Sequence, residues 1–234
     1  MFDTNACEER IGVTFKDKSI LEQAFTHRSY LNENKDTGRE HNERLEFLGD
    51  AVLELVITHF LYEKYPDKNE GELTAYRSAL VKTETLSSVS ESLGFNDFLL
   101  LSRGEAKDTG RARQYILANT FESVVGAIYL DQGYDTAKQF IYDHITNLID
   151  AILKEGTWID AKSRFQEKSQ EVVGTTPSYR TVKEEGPDHD KHFTVGVFLG
   201  KEKVAEGSGK SKQDAEQAAA KAAMDAKGWE YDRL

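Results

Sequence analysis

Glu43, Glu46 and Asp50 follow one another at intervals of three and four residues in the stretch His41-Asn42-Glu43-Arg44-Leu45-Glu46-Phe47-Leu48-Gly49-Asp50. On an α-helix that spacing places all three carboxylates on one face. Leu45, Leu48, Val52 and Leu55 fall on a separate apolar stripe with the same period. Like charges at this spacing repel, so the helix gains nothing from them unless a cation lies among them. Hard carboxylate oxygens are the ligands that Mg²⁺ or Mn²⁺ prefers. A solvated acidic helix face has the same pattern, and spacing alone leaves both readings open.

A second polar pair lies in Leu117-Ala118-Asn119-Thr120-Phe121-Glu122-Ser123-Val124-Val125-Gly126-Ala127. Asn119 and Glu122 are one turn apart on an otherwise apolar helix. Alone they read as its solvent edge. Facing the first helix, they would complete an oxygen cage in a helical bundle.

The elements that must position these groups are helices. Ile20, Leu21, Ala24 and Phe25 mark an amphipathic segment ending near Thr26–Tyr30. The acidic helix is expected from about His41 to Lys64, stopping before Tyr65-Pro66 because proline disfavours helix in the residue preceding it. A helix opens at Gly71 and runs through Val81, another covers Leu117 to Leu130, and Phe140 to Ile152 marks one more. No strand-like alternation occurs before residue 175. After it the pattern changes: helix over Ala161–Val173, strands at Ser178–Lys183, Phe193–Leu199 and Val204–Gly207, then helix over Gln213–Lys227. The alanines of that last helix (Ala215, Ala218, Ala219, Ala222, Ala226) make a small face suited to close packing on a sheet.

The order His-Asn-Glu-Arg-Leu-Glu-Phe-Leu-Gly-Asp at 41–50 closely resembles the signature of the ribonuclease III family, endonucleases that cut double-stranded RNA, and 117–127 resembles the family's second motif. The resemblance spans nearly the whole chain. It implies an N-terminal all-α endonuclease domain over 1–154, a linker over 155–159, and a C-terminal α+β (α-β-β-β-α) double-stranded RNA-binding domain over 160–228. By this resemblance Glu46, Asp50 and Glu122 hold a catalytic Mg²⁺ (Mn²⁺ can substitute), Asn119 is a further ligand, and Asp50 and Glu122 match the positions essential for catalysis. Glu43 and Glu70 match accessory acidic positions. The family usually has Asp where this chain has Asn119. An amide still offers a carbonyl oxygen but no charge, so it reads as a tolerated variant with weaker hold on the cation.

In the C-terminal module the resemblance assigns duplex contacts to Gln166 and Glu167 in the first helix, to His189 in the loop Gly186-Pro187-Asp188-His189, and to Lys210 and Lys212 before the last helix. Duplex RNA is read mainly by shape through minor groove, 2′-hydroxyls and phosphates. At Gln213-Asp214 the family tends to carry another basic residue. The family further implies a homodimer, products with 5′-phosphate and 3′-hydroxyl ends and short 3′ overhangs, and ribosomal RNA precursors and other structured transcripts as substrates. The competing reading is a double-stranded RNA-binding protein of the same fold that has lost its chemistry. The intact Glu46, Asp50 and Glu122 favour the enzyme.

The formal net charge of -11 argues against a nucleic-acid partner, which needs cations. The distribution softens this: residues 1–156 carry 17 Lys and Arg against 27 Asp and Glu, whereas 157–228 carry 12 of each. A neutral RNA-binding module predicts modest affinity with strong salt dependence. The single cysteine, Cys7, excludes an internal disulfide. The opening residues resemble neither signal nor anchor, and no apolar run approaches the ~18 residues of a membrane span; a cytoplasmic protein is expected. Gly104–Gly110 lacks the Gly-Lys-Ser/Thr ending of a phosphate-binding loop, and the histidines show no zinc spacing.

Overall fold

Helix α4 (Glu43–Lys64) and helix α7 (Arg111–Gln132), each 22 residues and about 33 Å long, cross at the centre of the first of two units into which the chain divides. The structure is a computed structural model, and it describes residues 2–35, 38–155, 161–187 and 191–229. Around the crossing lie α1 (Thr4–Ile11), α2 (Lys18–Ala24), α3 (Arg28–Glu33), α5 (Glu70–Val81), α6 (Thr83–Ser92), α8 (Tyr134–His144) and α9 (Ile149–Glu155). One apolar core joins them, drawing Leu45, Val52, Leu53, Val56 and Ile57 from α4 and Leu117, Phe121, Val124, Val125 and Ile128 from α7. The only β-type pairing among the described residues of this unit is an isolated parallel bridge between Thr26 and Leu100. No helix among the described residues is long and apolar enough to cross a membrane.

Four sequence expectations need correction. Helix α4 begins at Glu43, not His41, because Asn42 is buried at its N-cap. Leu55 is not core: it is 58% exposed, as are Phe47 (82%) and Tyr62 (71%) on the same helix. Helix α7 starts six residues before Leu117. Its first turn is polar, held by Arg113, which donates to the Asn96 side chain (2.8 Å) and the Glu105 carbonyl (2.7 Å). The helix expected over 140–152 is broken. Thr146 Oγ1 and the Asn147 amide donate to the Tyr142 and Asp143 carbonyls (2.9 and 3.2 Å), a competition that tightens the chain into a 3-10 turn at Thr146–Leu148. Helices α1 and α6 have no counterpart in the sequence pattern; both are short with few apolar residues.

The second unit contains α10 (Ala161–Val173), strands β1 (Pro177–Glu185), β2 (His192–Leu199) and β3 (Glu202–Gly209) in an antiparallel sheet of order β1-β2-β3, and α11 (Lys212–Lys227). Phe165, Val197 and Met224 centre its core. The buried face of α11 is Ala215, Ala219, Ala220, Ala223 and Met224; Ala226 is exposed. Glycine completes the close packing that the alanines suggest. A Cβ on Gly207 would stand 2.0 Å from the Ala219 nitrogen, and one on Gly209 would stand 2.7 Å from the Ala215 nitrogen.

Candidate active site and RNA-contact residues

The carboxylates are brought together by two glycines. A Cβ on Gly49 of α4 would lie 1.7 Å from the Glu122 carbonyl oxygen, and one on Gly126 of α7 would lie 2.2 Å from the Leu45 carbonyl oxygen. Only hydrogen fits at either position, so the two backbones touch. The residue after Gly49 is Asp50, and Glu122 sits one turn before Gly126. Backbone contact at the glycines therefore sets Glu46 and Asp50 against Asn119 and Glu122 across the crossing.

The electrostatics reflect that proximity. Burial, then the charges of Asp50 and Glu46, push the Glu122 carboxyl up to about 8. Glu46 is raised by burial and by the Glu43 and Asp50 charges, against a lowering hydrogen bond from the Asn119 side chain. Asp50 is raised by burial and by Glu54. Desolvation and like charge act in the same direction, and a cation among these groups would relieve both. Three carboxylates and one amide oxygen suit a hard divalent cation. As placed, the side chains stand apart: among the described residues no three His, Cys, Asp or Glu groups close on one cation-sized point. The donor set thus fits Mg²⁺ by its chemistry and would have to draw together around it.

Glu43 stands at the edge of this set, exposed, with Arg28 at 3.5 Å and His41 at 3.7 Å. Glu70 is elsewhere. It opens α5, accepts a hydrogen bond from Thr74 (3.1 Å) and lines a groove of about 450 Å³ with Thr58, Tyr62 and Arg77. Thr58 is eight residues along α4 from Asp50, roughly 12 Å at the helical rise, so the chain itself does not bring Glu70 to the carboxylates. Sequence reasoning missed Gly49 and Gly126 as site-building residues. The available signal was a glycine in the middle of each long helix, which usually has a packing reason.

In the second unit Gln166 and Glu167 are exposed on α10, next to the buried Phe165. Lys210 and Lys212 are exposed before and at the start of α11, and the Lys212 ammonium lies 5.6 Å from the Phe193 ring centroid. Asp214, of the Gln213-Asp214 pair where another basic residue is expected, closes a capping box. Its N–H donates to Ser211 Oγ (3.1 Å) and its carboxylate accepts from the Ser211 N–H (3.2 Å). One first-turn N–H of α11 is thereby engaged. His189 lies outside the described residues.

Comparison with known proteins follows the same division. A family model described as Ribonuclease-III-like matches residues 17–149, and one described as double-stranded RNA binding motif matches 161–226. The chain is similar to Ribonuclease 3 of Roseiflexus sp. (44% identity, covering 93% of this chain and 92% of the relative). It is also similar to Ribonuclease 3 of Leptospira interrogans (47% identity, 91% and 86%). Among solved structures, the nuclease domain of ribonuclease III from Campylobacter jejuni aligns with a TM-score of 0.54 at 36% identity, covering 61% of this chain and 98% of that one.

Proposed function

The chain belongs to the ribonuclease III family of double-stranded-RNA endonucleases, and from that premise we propose that it hydrolyses phosphodiesters of duplex RNA with Mg²⁺ held at the α4–α7 crossing. One observation carries the reading: two glycine-mediated backbone contacts set Glu46 and Asp50 beside Glu122 in a partly buried setting where burial and neighbouring carboxylates raise the Glu46 and Glu122 carboxyls. When bound, a divalent cation supplies an acidified water and charge neutralisation at the phosphate, the two things this hydrolysis needs. Glu46, Asp50 and Glu122 would hold it, with the Asn119 carbonyl oxygen as a neutral fourth donor. Asp50 and Glu122, joining the two helices, would be the indispensable pair. Glu43 would order the rim through Arg28 and His41. Glu70 would act at a distance from the carboxylates of its own chain.

Gln166, Glu167, His189, Lys210 and Lys212 would contact the duplex, with Phe193 steadying the Lys212 ammonium. Products would carry 5′-phosphate and 3′-hydroxyl ends with short 3′ overhangs, from ribosomal RNA precursors and other structured transcripts in the cytoplasm. Mn²⁺ would substitute for Mg²⁺. A homodimer is supported by Phe47, Leu55 and Tyr62, large apolar side chains exposed along one side of α4. The similar C. jejuni nuclease domain likewise has a region involved in dimer formation, one that shows structural flexibility. The test is incubation with a long RNA duplex with and without Mg²⁺. Cleavage with the cation and none in EDTA is expected; duplex binding without cleavage under both conditions would favour the non-catalytic reading.

A further inference from the structure

Asn42 occupies the N-cap of α4, where an asparagine side chain ordinarily accepts from the first-turn N–H groups. Here it does not; no side-chain capping bond is made. The residue is only 3% exposed, and its two N–H donors are directed to other parts of the unit. Its side-chain amide donates to the Ala24 carbonyl at the end of α2 (3.2 Å). Its backbone N–H donates to the Thr26 carbonyl (2.9 Å). Its own carbonyl accepts the Glu46 N–H (2.9 Å) and stands 3.4 Å from Ser123 Oγ of α7, whose hydroxyl donates to the Asn119 carbonyl (2.7 Å).

The partners of Asn42 are themselves fixed. Thr26 is fully buried, its hydroxyl donates to the Glu22 carbonyl (2.8 Å), and the adjoining backbone pairs with Leu100 on both sides (3.0 and 2.9 Å). Helix α2 also packs against α7. The glycines set the separation of α4 and α7 at their crossing, one turn beyond Glu46. Gly126 also meets the Leu45 carbonyl, which fixes the distance of the first turn of α4 from α7 and leaves its approach to α2 to other contacts. Asn42 supplies such a contact by tying this turn to α2, which is seated on the helix carrying Asn119 and Glu122.

We infer that Asn42 is a positioning residue for the carboxylate set: its buried amide bond to α2 keeps the turn that carries Glu46 beside Asn119 and Glu122, so that the four donors can draw together around one cation. The inference rests on the metal-site reading above.

The experiment uses the full chain without RNA, titrated with Mn²⁺ and followed by the spectroscopic signal of the free ion, together with thermal melts and steady-state cleavage in Mg²⁺. Asn42→Ala is compared with Ser90→Ala. Ser90 makes an equally buried bond to α7, from its hydroxyl to the Leu117 carbonyl (2.8 Å), away from the carboxylates. Both variants are expected to melt several degrees lower. Asn42→Ala should bind Mn²⁺ at least tenfold more weakly and lose kcat with KM within twofold, while Ser90→Ala keeps wild-type cation affinity and kcat. Equal Mn²⁺ affinity in the two variants would overturn the inference. Should Asn42→Ala not fold, Asn42→Ser decides: a serine keeps an N-cap oxygen but lacks the amide from which the Ala24 carbonyl accepts, a several-fold weaker Mn²⁺ affinity is expected, and an unchanged one overturns the inference. Asp50→Ala is titrated in parallel. Undiminished Mn²⁺ binding there would overturn the metal site itself, whatever the Asn42 variants do.

Discussion

The α4–α7 crossing in the first unit and the α11–β3 contact in the second are both made by glycines that let backbones touch, yet they gather opposite kinds of side chain. Gly49 and Gly126 bring carboxylates together, and Glu122 is pushed up to about 8 by the burial and repulsion that result. Gly207 and Gly209 bring in alanines, and the charges of that unit stay near its surface in ion pairs such as Lys162–Glu216 (2.5 Å), Lys203–Glu206 (2.7 Å) and Lys227–Glu202 (2.9 Å). One contact concentrates unbalanced charge that calls for a ligand; the other makes a rigid support and leaves the surface to the ligand.

The sharpest break of the comparison is to remove a carboxylate. Asp50→Ala or Glu122→Ala should lower cleavage by more than a thousandfold while duplex affinity, measured by gel shift in Ca²⁺ or EDTA, stays within about threefold of wild type, because the match to a double-stranded RNA binding motif lies in the other unit. Retained cleavage in either purified variant would remove the metal-site assignment.

Filling the glycines comes next. Gly126→Ala places a methyl 2.2 Å from the Leu45 carbonyl, and Gly207→Ala places one 2.0 Å from the Ala219 nitrogen. Backbone cannot yield as a flexible side chain can, so each should destabilise its own unit by about 3 kcal/mol or more, beyond ordinary overpacking. The functional outcomes should separate. Gly126→Ala loses cleavage and keeps duplex binding. Gly207→Ala loses binding at moderate salt and keeps cleavage at low salt. If both variants lost the same function, the two contacts would not be independent.

These glycines also mark the boundary of what the sequence made legible. Periodicity and motif order located α4, α7, the three strands and both flanking helices of the second unit, since each is a local pattern. The residues around position 50 and position 122 were recognisable as donors for the same reason. Which atoms touch across a crossing is a tertiary fact, so Gly49, Gly126 and Asn42 were visible as letters without a role. Leu55 was misplaced because an apolar side chain on an amphipathic helix reads as core even where it faces outward. The break at Thr146 depended on side-chain bonds to the preceding turn that no apolar period reveals.

A finer test asks whether the charge is truly concentrated in the first unit. Glu122 titrates near 8 in the folded, metal-free protein against an ordinary value of 4.5. The folded state therefore keeps a proton that the unfolded chain releases above about 4.5. Stability of the metal-free protein is fullest below that value, falls as pH rises from about 4.5 to about 8, and levels off above. One retained proton limits the slope to about 1.4 kcal/mol per pH unit. Melts in EDTA from pH 5 to 9 should show this decline, and Glu122→Gln, neutral throughout, should flatten most of it. A decline of equal slope in the variant would place the repulsion elsewhere.

The smallest expected effect concerns the one neutral donor. Asn119→Asp adds a full negative charge beside Glu46, whose carboxylate the Asn119 side chain now steadies with a hydrogen bond. In the metal-free protein the variant loses that donor and gains a fourth carboxylate in a set already raised by repulsion, so its melting temperature in EDTA should fall by a few degrees. With Mg²⁺ the same charge attracts the cation, and a partly buried site screens that gain less than water does. Half-maximal cleavage should therefore need several-fold less Mg²⁺ than in wild type. Because a ligand stabilises in proportion to how far its concentration exceeds its Kd, the rise in melting temperature on adding Mg²⁺ should be larger in the variant. The two readouts move in opposite directions only if residue 119 shares the space of the cation. A side chain on the solvent edge of α7 would change neither the Mg²⁺ requirement nor the metal-induced rise, and that result would separate Asn119 from the donor set.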